Sequence, residues 1–282
     1  MKRLAAFGCS ALLTCASSGC ANGLLSGDDP DAGKSNPVWR DASTASEAGT
    51  SDDGGDCKTD LAQPWQGSGV GTAWMDQSVL TLVSGDRYWT YDYGNATWGV
   101  TGHVETLWAG APAVDDLMPW QDVGVHAAYV VGTTLTLISA DRYWTLDTGT
   151  HAWGTTGHIV TMWSSAPANG GFLPWDAPNV HTAYPYQSGL TIISADRYWI
   201  QNLTSSTWTD GTLETSWASA PKVDSASPWD TPGIGAAWVY NDVLTIVSGD
   251  RYWIANDTNG TWTDTGHLET VWASAPAIDD CK

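Results

Sequence analysis

One tetrapeptide, Asp-Arg-Tyr-Trp, occurs four times in this chain of 282 residues, and its regular spacing limits the fold more than any other feature. The copies begin at Asp86, Asp141, Asp196 and Asp250, at intervals of 55, 55 and 54 residues. The same step separates a Pro-Trp pair and two further tryptophans in each unit: Pro64, Pro119, Pro174 and Pro228; Trp98, Trp153, Trp208 and Trp262; Trp108, Trp163, Trp217 and Trp272. A fixed period of this length predicts a repeat architecture, in which neighbouring units bury each other's apolar faces.

Each repeat has the pattern of a small antiparallel sheet. Val79–Ser84 is a short apolar run rich in β-branched residues, and a tight turn separates it from a second, alternating segment that begins at Arg87. No stretch of about 10 residues shows the 3.6-residue periodicity of an amphipathic helix. At most one short helix is therefore expected before each Ala-Pro pair. Small residues at the start of each unit indicate close approach of several backbones.

Such a sheet cannot bury both of its faces alone, and radial packing of four sheets around an axis solves that problem. We therefore predict an all-β fold, a four-bladed β-propeller, with blades near 64–118, 119–173, 174–227 and 228–280.

The cysteines favour closure of this ring. Three of the five, Cys9, Cys15 and Cys20, lie in the N-terminal leader, whereas Cys57 and Cys281 flank the repeats. Because a propeller brings its two ends together, a Cys57–Cys281 disulfide is expected, and it requires an oxidising compartment. Two unpaired terminal thiols are the alternative.

The first 20 residues have the pattern of a signal peptide, with Lys2 and Arg3 ahead of the apolar run Leu4–Ala16. Small residues before Cys20 resemble a bacterial lipoprotein processing site, at which this cysteine would be lipidated. Ser17 stands where a branched aliphatic residue is usual, so ordinary signal cleavage is the alternative. Residues 21–56 are mostly Gly, Ser, Asp, Ala and Thr, a composition typical of a disordered tether.

These segments predict an exported protein, anchored to a membrane at the outer surface or facing the periplasm, or otherwise secreted. The propeller then occupies residues 57–282. The lipid anchor is the only membrane contact expected.

Charge narrows the range of partners. The formal net charge is −20, from 31 acidic and 11 basic residues, and no basic stripe occurs. This excludes nucleic acid as a partner, whereas an acidic surface suits solubility and divalent cations.

The repeat resembles the hemopexin-like repeat in the order of its motifs, and the resemblance covers all four units, from about Pro64 to Asp280. The motifs that carry it are Gly-Asp-Arg-Tyr-Trp at 85–89, Gly-His-Val at 102–104, Trp-Ala-Gly-Ala-Pro at 108–112 and Ala-Ala-Tyr at 127–129. That family forms a four-bladed propeller closed by a terminal disulfide, so the resemblance implies the same here. The chain departs from the family where Gly-His replaces Gly-aromatic-Pro.

The resemblance also implies that backbone carbonyls at the start of each first strand hold calcium or another cation in the central channel. The family's Asp at this position is replaced in every unit, by Gly71, His126, His181 and Gly235. Carbonyls rather than side chains carry this chemistry, so the replacements leave the site in place. Two imidazoles near the channel, His126 and His181, would also suit a transition metal or heme iron; the alternative is that they fill the channel mouth.

The repeated aromatic and charged residues have two interpretations. Stacking of sugars would use the 19 tryptophans, but 16 of them occupy the four repeated positions, which favours packing between blades. The repeated Asp-Arg pair likewise favours an ion pair between blades, with Arg stacked on Trp.

Catalysis has little support, because Ser84, Ser139, Ser194 and Ser248 recur without a partner that breaks the repeat. We therefore predict no enzyme activity. A non-catalytic binding module that engages protein, glycan or heme through the propeller faces is favoured, and a structural coat or envelope spacer is the alternative.

Overall fold

The computed structural model describes residues 62–67, 69–176 and 180–278. Within these ranges each repeat forms four strands followed by a helix of four residues, as expected from the sequence. The first repeat consists of β1 (Thr72–Asp76), β2 (Val79–Ser84), β3 (Arg87–Asp92), β4 (Thr97–His103) and α1 (Val104–Leu107).

The other three repeats follow the same order. The second contains β5 (Ala127–Val131), β6 (Thr134–Ser139), β7 (Arg142–Asp147), β8 (Trp153–His158) and α2 (Ile159–Met162). The third contains β9 (Thr182–Tyr186), β10 (Gly189–Ser194), β11 (Arg197–Asn202), β12 (Trp208–Thr212) and α3 (Leu213–Ser216). The fourth contains β13 (Ala236–Tyr240), β14 (Val243–Ser248), β15 (Arg251–Asn256), β16 (Thr261–His267) and α4 (Leu268–Val271).

Each repeat is one antiparallel sheet whose strands pair in sequence order. The first strands β1, β5, β9 and β13 contact one another in a closed ring around the axis. This arrangement confirms the predicted all-β, four-bladed propeller. One alanine from each inner strand is fully buried there, and together they line an axial cavity of about 30 Å³: Ala73, Ala128, Ala183 and Ala237. The axis is therefore closely packed at this level, with space for about one water molecule.

The ring closes between the two ends of the described chain. Ala62 and Ile278 form an antiparallel bridge through two backbone hydrogen bonds, of 2.8 and 3.0 Å. Cys57, Cys281 and Cys20 all lie outside the described residues, as do the signal peptide and the tether. The disulfide and the lipidation therefore stay predictions.

The same side-chain hydrogen bond recurs at all four interfaces between neighbouring blades. The tryptophan of each Asp-Arg-Tyr-Trp motif donates its indole Nε1–H to a proline carbonyl of the preceding blade, and Trp89 closes the ring onto the fourth blade. The Nε1–O distances are 2.7–2.9 Å for Trp89–Pro276, Trp144–Pro112, Trp199–Pro167 and Trp253–Pro221. All four indoles are buried. These tryptophans pack between blades, as predicted.

The repeated arginines add polar contacts across the same interfaces. Arg142 Nε lies 3.0 Å from Asp115 Oδ2 of the preceding blade, and His158 stands between Asp115 and Asp141 at 3.4 and 2.9 Å. Arg197 differs, because its guanidinium lies over the Phe172 ring at 4.5 Å. The predicted ion pair between blades is thus present where Arg142 meets Asp115, and also where Arg251 lies 3.8 Å from Asp224 of the preceding blade. The arginine that stacks on a ring uses phenylalanine instead of tryptophan.

We expect Trp199→Phe to lower the free energy of unfolding by roughly 2 kcal/mol or more, because it leaves the Pro167 carbonyl without its donor and opens space in a buried interface. Trp208→Phe is the matched control in the same blade. Trp208 is half-exposed and donates to Ser165 Oγ at the surface, so its loss should cost less than about 1 kcal/mol. Chemical denaturation measures both, and equal losses would contradict the role given to the buried bond.

Candidate binding grooves between blades

The four positions predicted to hold a cation occupy equivalent places at the start of the inner strands. Each donates its backbone N–H to the last apolar residue of the neighbouring second strand, at 2.8–2.9 Å: Gly71 to Val83, His126 to Ile138, His181 to Ile193, and Gly235 to Val247. Gly235 packs so tightly against the Val70 carbonyl that a Cβ there would collide with it. The four segments are therefore brought together around the axis.

His126 and His181 are close enough to influence each other. Burial lowers the pKa of His181 to about 4, and the charge of His126 contributes in the same direction. His181 is thus neutral at pH 7. No group of three or more His, Cys, Asp or Glu side chains that could hold a metal occurs among the described residues. The two imidazoles therefore have no third side-chain ligand there, and the carbonyl site for calcium or another cation stays a prediction.

The larger cavities lie away from the axis, between neighbouring blades. We name the "1/2 groove" the cavity of about 500 Å³ that Trp74, Thr81 and Trp108 form with Thr148 of the second blade. We name the "3/4 groove" the cavity of about 470 Å³ that the equivalent residues form one half-turn of the ring away: Tyr184, Thr191 and Trp217, with Asp257 of the fourth blade. Cavities of this size suit small-molecule ligands.

The size of each groove depends on one residue of the following blade. This is the first residue of the turn between that blade's third and fourth strands. That residue is Thr148 in the 1/2 groove and Asp257 in the 3/4 groove. Between the fourth and first blades it is Tyr93, which stacks on Tyr240 with ring centroids 4.8 Å apart and accepts a hydrogen bond from Trp238 Nε1 at 3.3 Å. The cavity there is only about 190 Å³, because the phenol ring occupies the space.

Polar groups line the 3/4 groove beside its aromatic walls. Ser216 stands where the first blade has Leu107, and its hydroxyl donates to Tyr198 Oη at 2.9 Å. Trp217 is half-exposed, whereas its three equivalents are buried: Trp108, Trp163 and Trp272. The small polar residue and the exposed indole make this groove accessible on one aromatic face.

Asp257 is the charged residue of the 3/4 groove. It is half-buried, and its carboxylate forms no hydrogen bond or ion pair with the described residues. Burial raises its pKa, and the charge of Asp242 raises it further. Burial also raises the pKa of Tyr184, with a smaller contribution from Asp257, which places the carboxylate near this phenol.

The 1/2 groove has its own residues that depart from the repeat. His151 lines it, and no other repeat has a histidine at the equivalent position. Trp108 Nε1 is buried and has no hydrogen-bond partner among the described residues. An unsatisfied buried donor of this kind is uncommon.

The sequence predicts a cation site at the axis but does not predict the grooves between blades. Repetition favours packing over sugar stacking as the role of these tryptophans, yet Trp108 and Trp217 pack and also form groove walls. A comparison of the turn positions across repeats could have indicated the grooves, since His151 and Asp257 depart from the other copies there. No helix in the described parts of the chain is long and apolar enough to cross a membrane.

We expect acid to destabilise the propeller through His181. Its folded pKa lies below the unfolded value of about 6.5, so the unfolded state binds the extra proton, and stability present above pH 6.5 is lost as pH falls towards 4. The loss approaches about 3 kcal/mol. His181→Gln should flatten this dependence when unfolding free energies are compared at pH 7.5 and pH 4. The exposed His151→Gln is the control and should keep the wild-type slope.

No protein-family model matches this chain, and no curated protein matches its sequence. Solved structures do match its fold. The hemopexin fold protein CP4 from cow pea aligns with a TM-score of 0.58 and 11% identity, over 72% of this chain and 95% of that chain. A plant albumin from Cicer arietinum showing hemagglutination has a TM-score of 0.56 and 13% identity, over 73% and 96% of the two chains.

A plant lectin with two metal binding sites, also from Cicer arietinum, has a TM-score of 0.53 and 11% identity, over 72% of this chain and 95% of the lectin. At such low identity these matches show the fold alone: a four-bladed propeller of the hemopexin type.

Proposed function

We propose that this protein is a non-catalytic binding module that takes glycans in its 1/2 and 3/4 grooves. The observation that carries the proposal is the pair of open cavities, of about 500 and 470 Å³, that combine Trp and Tyr walls with Thr, Ser, Asn and Gln side chains. A pyranose has an apolar face that packs on an aromatic ring and hydroxyls that need hydrogen-bond partners. The lectin and the hemagglutinating albumin of similar fold add support by analogy only.

A non-catalytic role agrees with the positions of the repeated serines. All four lie at the ends of second strands and are buried: Ser84, Ser139, Ser194 and Ser248. A buried hydroxyl at a repeated structural position is poorly placed to attack a substrate. Residues that depart from the repeat occur instead in the grooves, where they vary the shape and charge of a cavity.

The proposal includes export and a tether. The signal-like leader, the composition of residues 21–56 and the cysteine pair Cys57 and Cys281 all suit a protein outside the cytoplasm, with Cys20 as the lipidated residue of a membrane anchor. A cation at the channel mouth, held by the carbonyls of Gly71, His126, His181 and Gly235, would stabilise the ring rather than bind the glycan. Protein and heme are the other ligands considered; heme has the weaker support, because the two imidazoles stand beside a closely packed axis.

We expect Thr148→Tyr to abolish glycan binding in the 1/2 groove, because tyrosine at the equivalent position, Tyr93, accompanies a cavity of only about 190 Å³. Asp257→Tyr should do the same in the 3/4 groove. Glycan-array screening of the full chain identifies a ligand, and isothermal titration then measures affinity and stoichiometry. Each variant should remove the sites of one groove, and the double variant should remove all binding.

Leu203→Tyr is the matched control, since Leu203 occupies the same turn position in the third blade and lines neither groove. Undiminished binding by the double variant would place the site elsewhere. Self-association of the chain without binding to any glycan would favour the structural spacer instead.

A further inference from the structure

The two open grooves carry their carboxylates at different places: Asp257 lies in the turn that closes the 3/4 groove, whereas Asp76 at the end of β1 lines the 1/2 groove. Equivalent strands and helices build both, but the turn position that closes them is Thr148 in one and Asp257 in the other. The remaining two copies of this position are Tyr93 and Leu203, so a carboxylate occurs at this turn position in only one repeat. A carboxylate at the closing turn gives the 3/4 groove its own preference for ligands.

Asp257 has no cationic partner in the described protein. Only five basic residues occur in the repeats, and the two arginines of the third and fourth blades are engaged elsewhere. Arg197 contacts Asp196 and the Phe172 ring, and Arg251 lies between Asp224 and Asp250. Half-burial of an unpaired carboxylate is unfavourable, and a ligand cation would relieve it.

The walls around Asp257 suit an organic cation. Three tyrosines and one tryptophan line the same cavity: Tyr184, Tyr186, Tyr198 and Trp217. Aromatic faces attract ammonium groups, most strongly where water is partly excluded, and a carboxylate beside them adds charge complementarity. The groove therefore offers both of the contacts that an ammonium group uses.

We propose that the 3/4 groove binds the ammonium group of a small organic ligand. This inference rests on the proposed function and names the ligand class of one of its two sites; an amino sugar satisfies both. The ammonium contacts the Asp257 carboxylate, and the rest of the ligand packs on Trp217 and the tyrosines.

The titratable groups that face Asp257 determine how ligand affinity depends on pH. Asp242 is the other carboxylate near Asp257, and Tyr186 Oη lies 3.4 Å from Asp242 Oδ1. Tyr184, Tyr186 and Tyr198 are the titratable groups of the third blade in the groove. Protonation of the Asp257 carboxylate removes the charge that attracts an ammonium group, and it is the event that weakens binding as the pH falls. Affinity for an ammonium ligand should therefore decrease towards acid pH, while affinity for an uncharged ligand should not.

The test is isothermal titration of the full chain with three probes: glucosamine, glucose and choline. Wild-type protein should bind glucosamine more tightly than glucose, and Asp257→Asn should weaken glucosamine binding by about tenfold or more without changing glucose binding. Asp116→Asn removes the same formal charge from an exposed position of the first blade that lines neither groove, and it is the matched control for non-specific attraction. Thr148→Asp adds a carboxylate at the equivalent turn position of the 1/2 groove and should strengthen glucosamine binding there, a gain that misfolding cannot mimic.

The three probes also distinguish how the groove recognises an ammonium group. Tight binding of choline in an Asp257-dependent manner indicates recognition through charge and aromatic faces, whereas a preference for glucosamine indicates hydrogen bonds from a primary ammonium. Equal affinities of wild-type protein for glucosamine and glucose, with no binding of choline, would overturn the inference and leave glycan binding intact. Choline binding that depends on Asp257, in a protein that binds no sugar, would instead refute the glycan proposal alone.

Discussion

The hydrogen bond from a buried indole to a proline carbonyl holds this propeller together as a ring. Each blade buries one tryptophan against its predecessor, and the Nε1–H satisfies a carbonyl where that chain has just turned at Ala-Pro. Tryptophan suits the position because one side chain fills the interface and donates the bond. The Trp89–Pro276 contact makes the first blade a neighbour of the last. Blades that could not bury an open sheet alone are thereby stabilised by one another.

The features that the sequence predicted are those that must be the same in every blade. The period of Asp-Arg-Tyr-Trp, the small residues near Ala73 and the apolar run Val79–Ser84 each report a contact that occurs four times, so repetition identifies it. The grooves could not be predicted in this way. Their volume depends on how much of an interface is left empty, and Tyr93 and Thr148 differ in that respect although they occupy the same turn position.

In each blade, the residues that pack between blades repeat closely, whereas the residues that line a groove vary. Most residues of the second strands, and the motif tryptophans of the third strands, are buried and repeat closely, because a change there disturbs the packing between blades. Turn residues such as His151 and Asp257 line the grooves and differ from one repeat to the next. The axial positions belong to the first kind, since the alanines leave space for little more than a water molecule. Diversity is therefore expected at the grooves rather than along the channel.

The order of the blades places the two open grooves on opposite sides of the axis. The interface of the first and second blades and that of the third and fourth are separated by two blades in either direction around the ring. Two ligands held there, as proposed, would lie on opposite sides of the axis. One molecule would then cross-link two chains or two surfaces without forming a dimer.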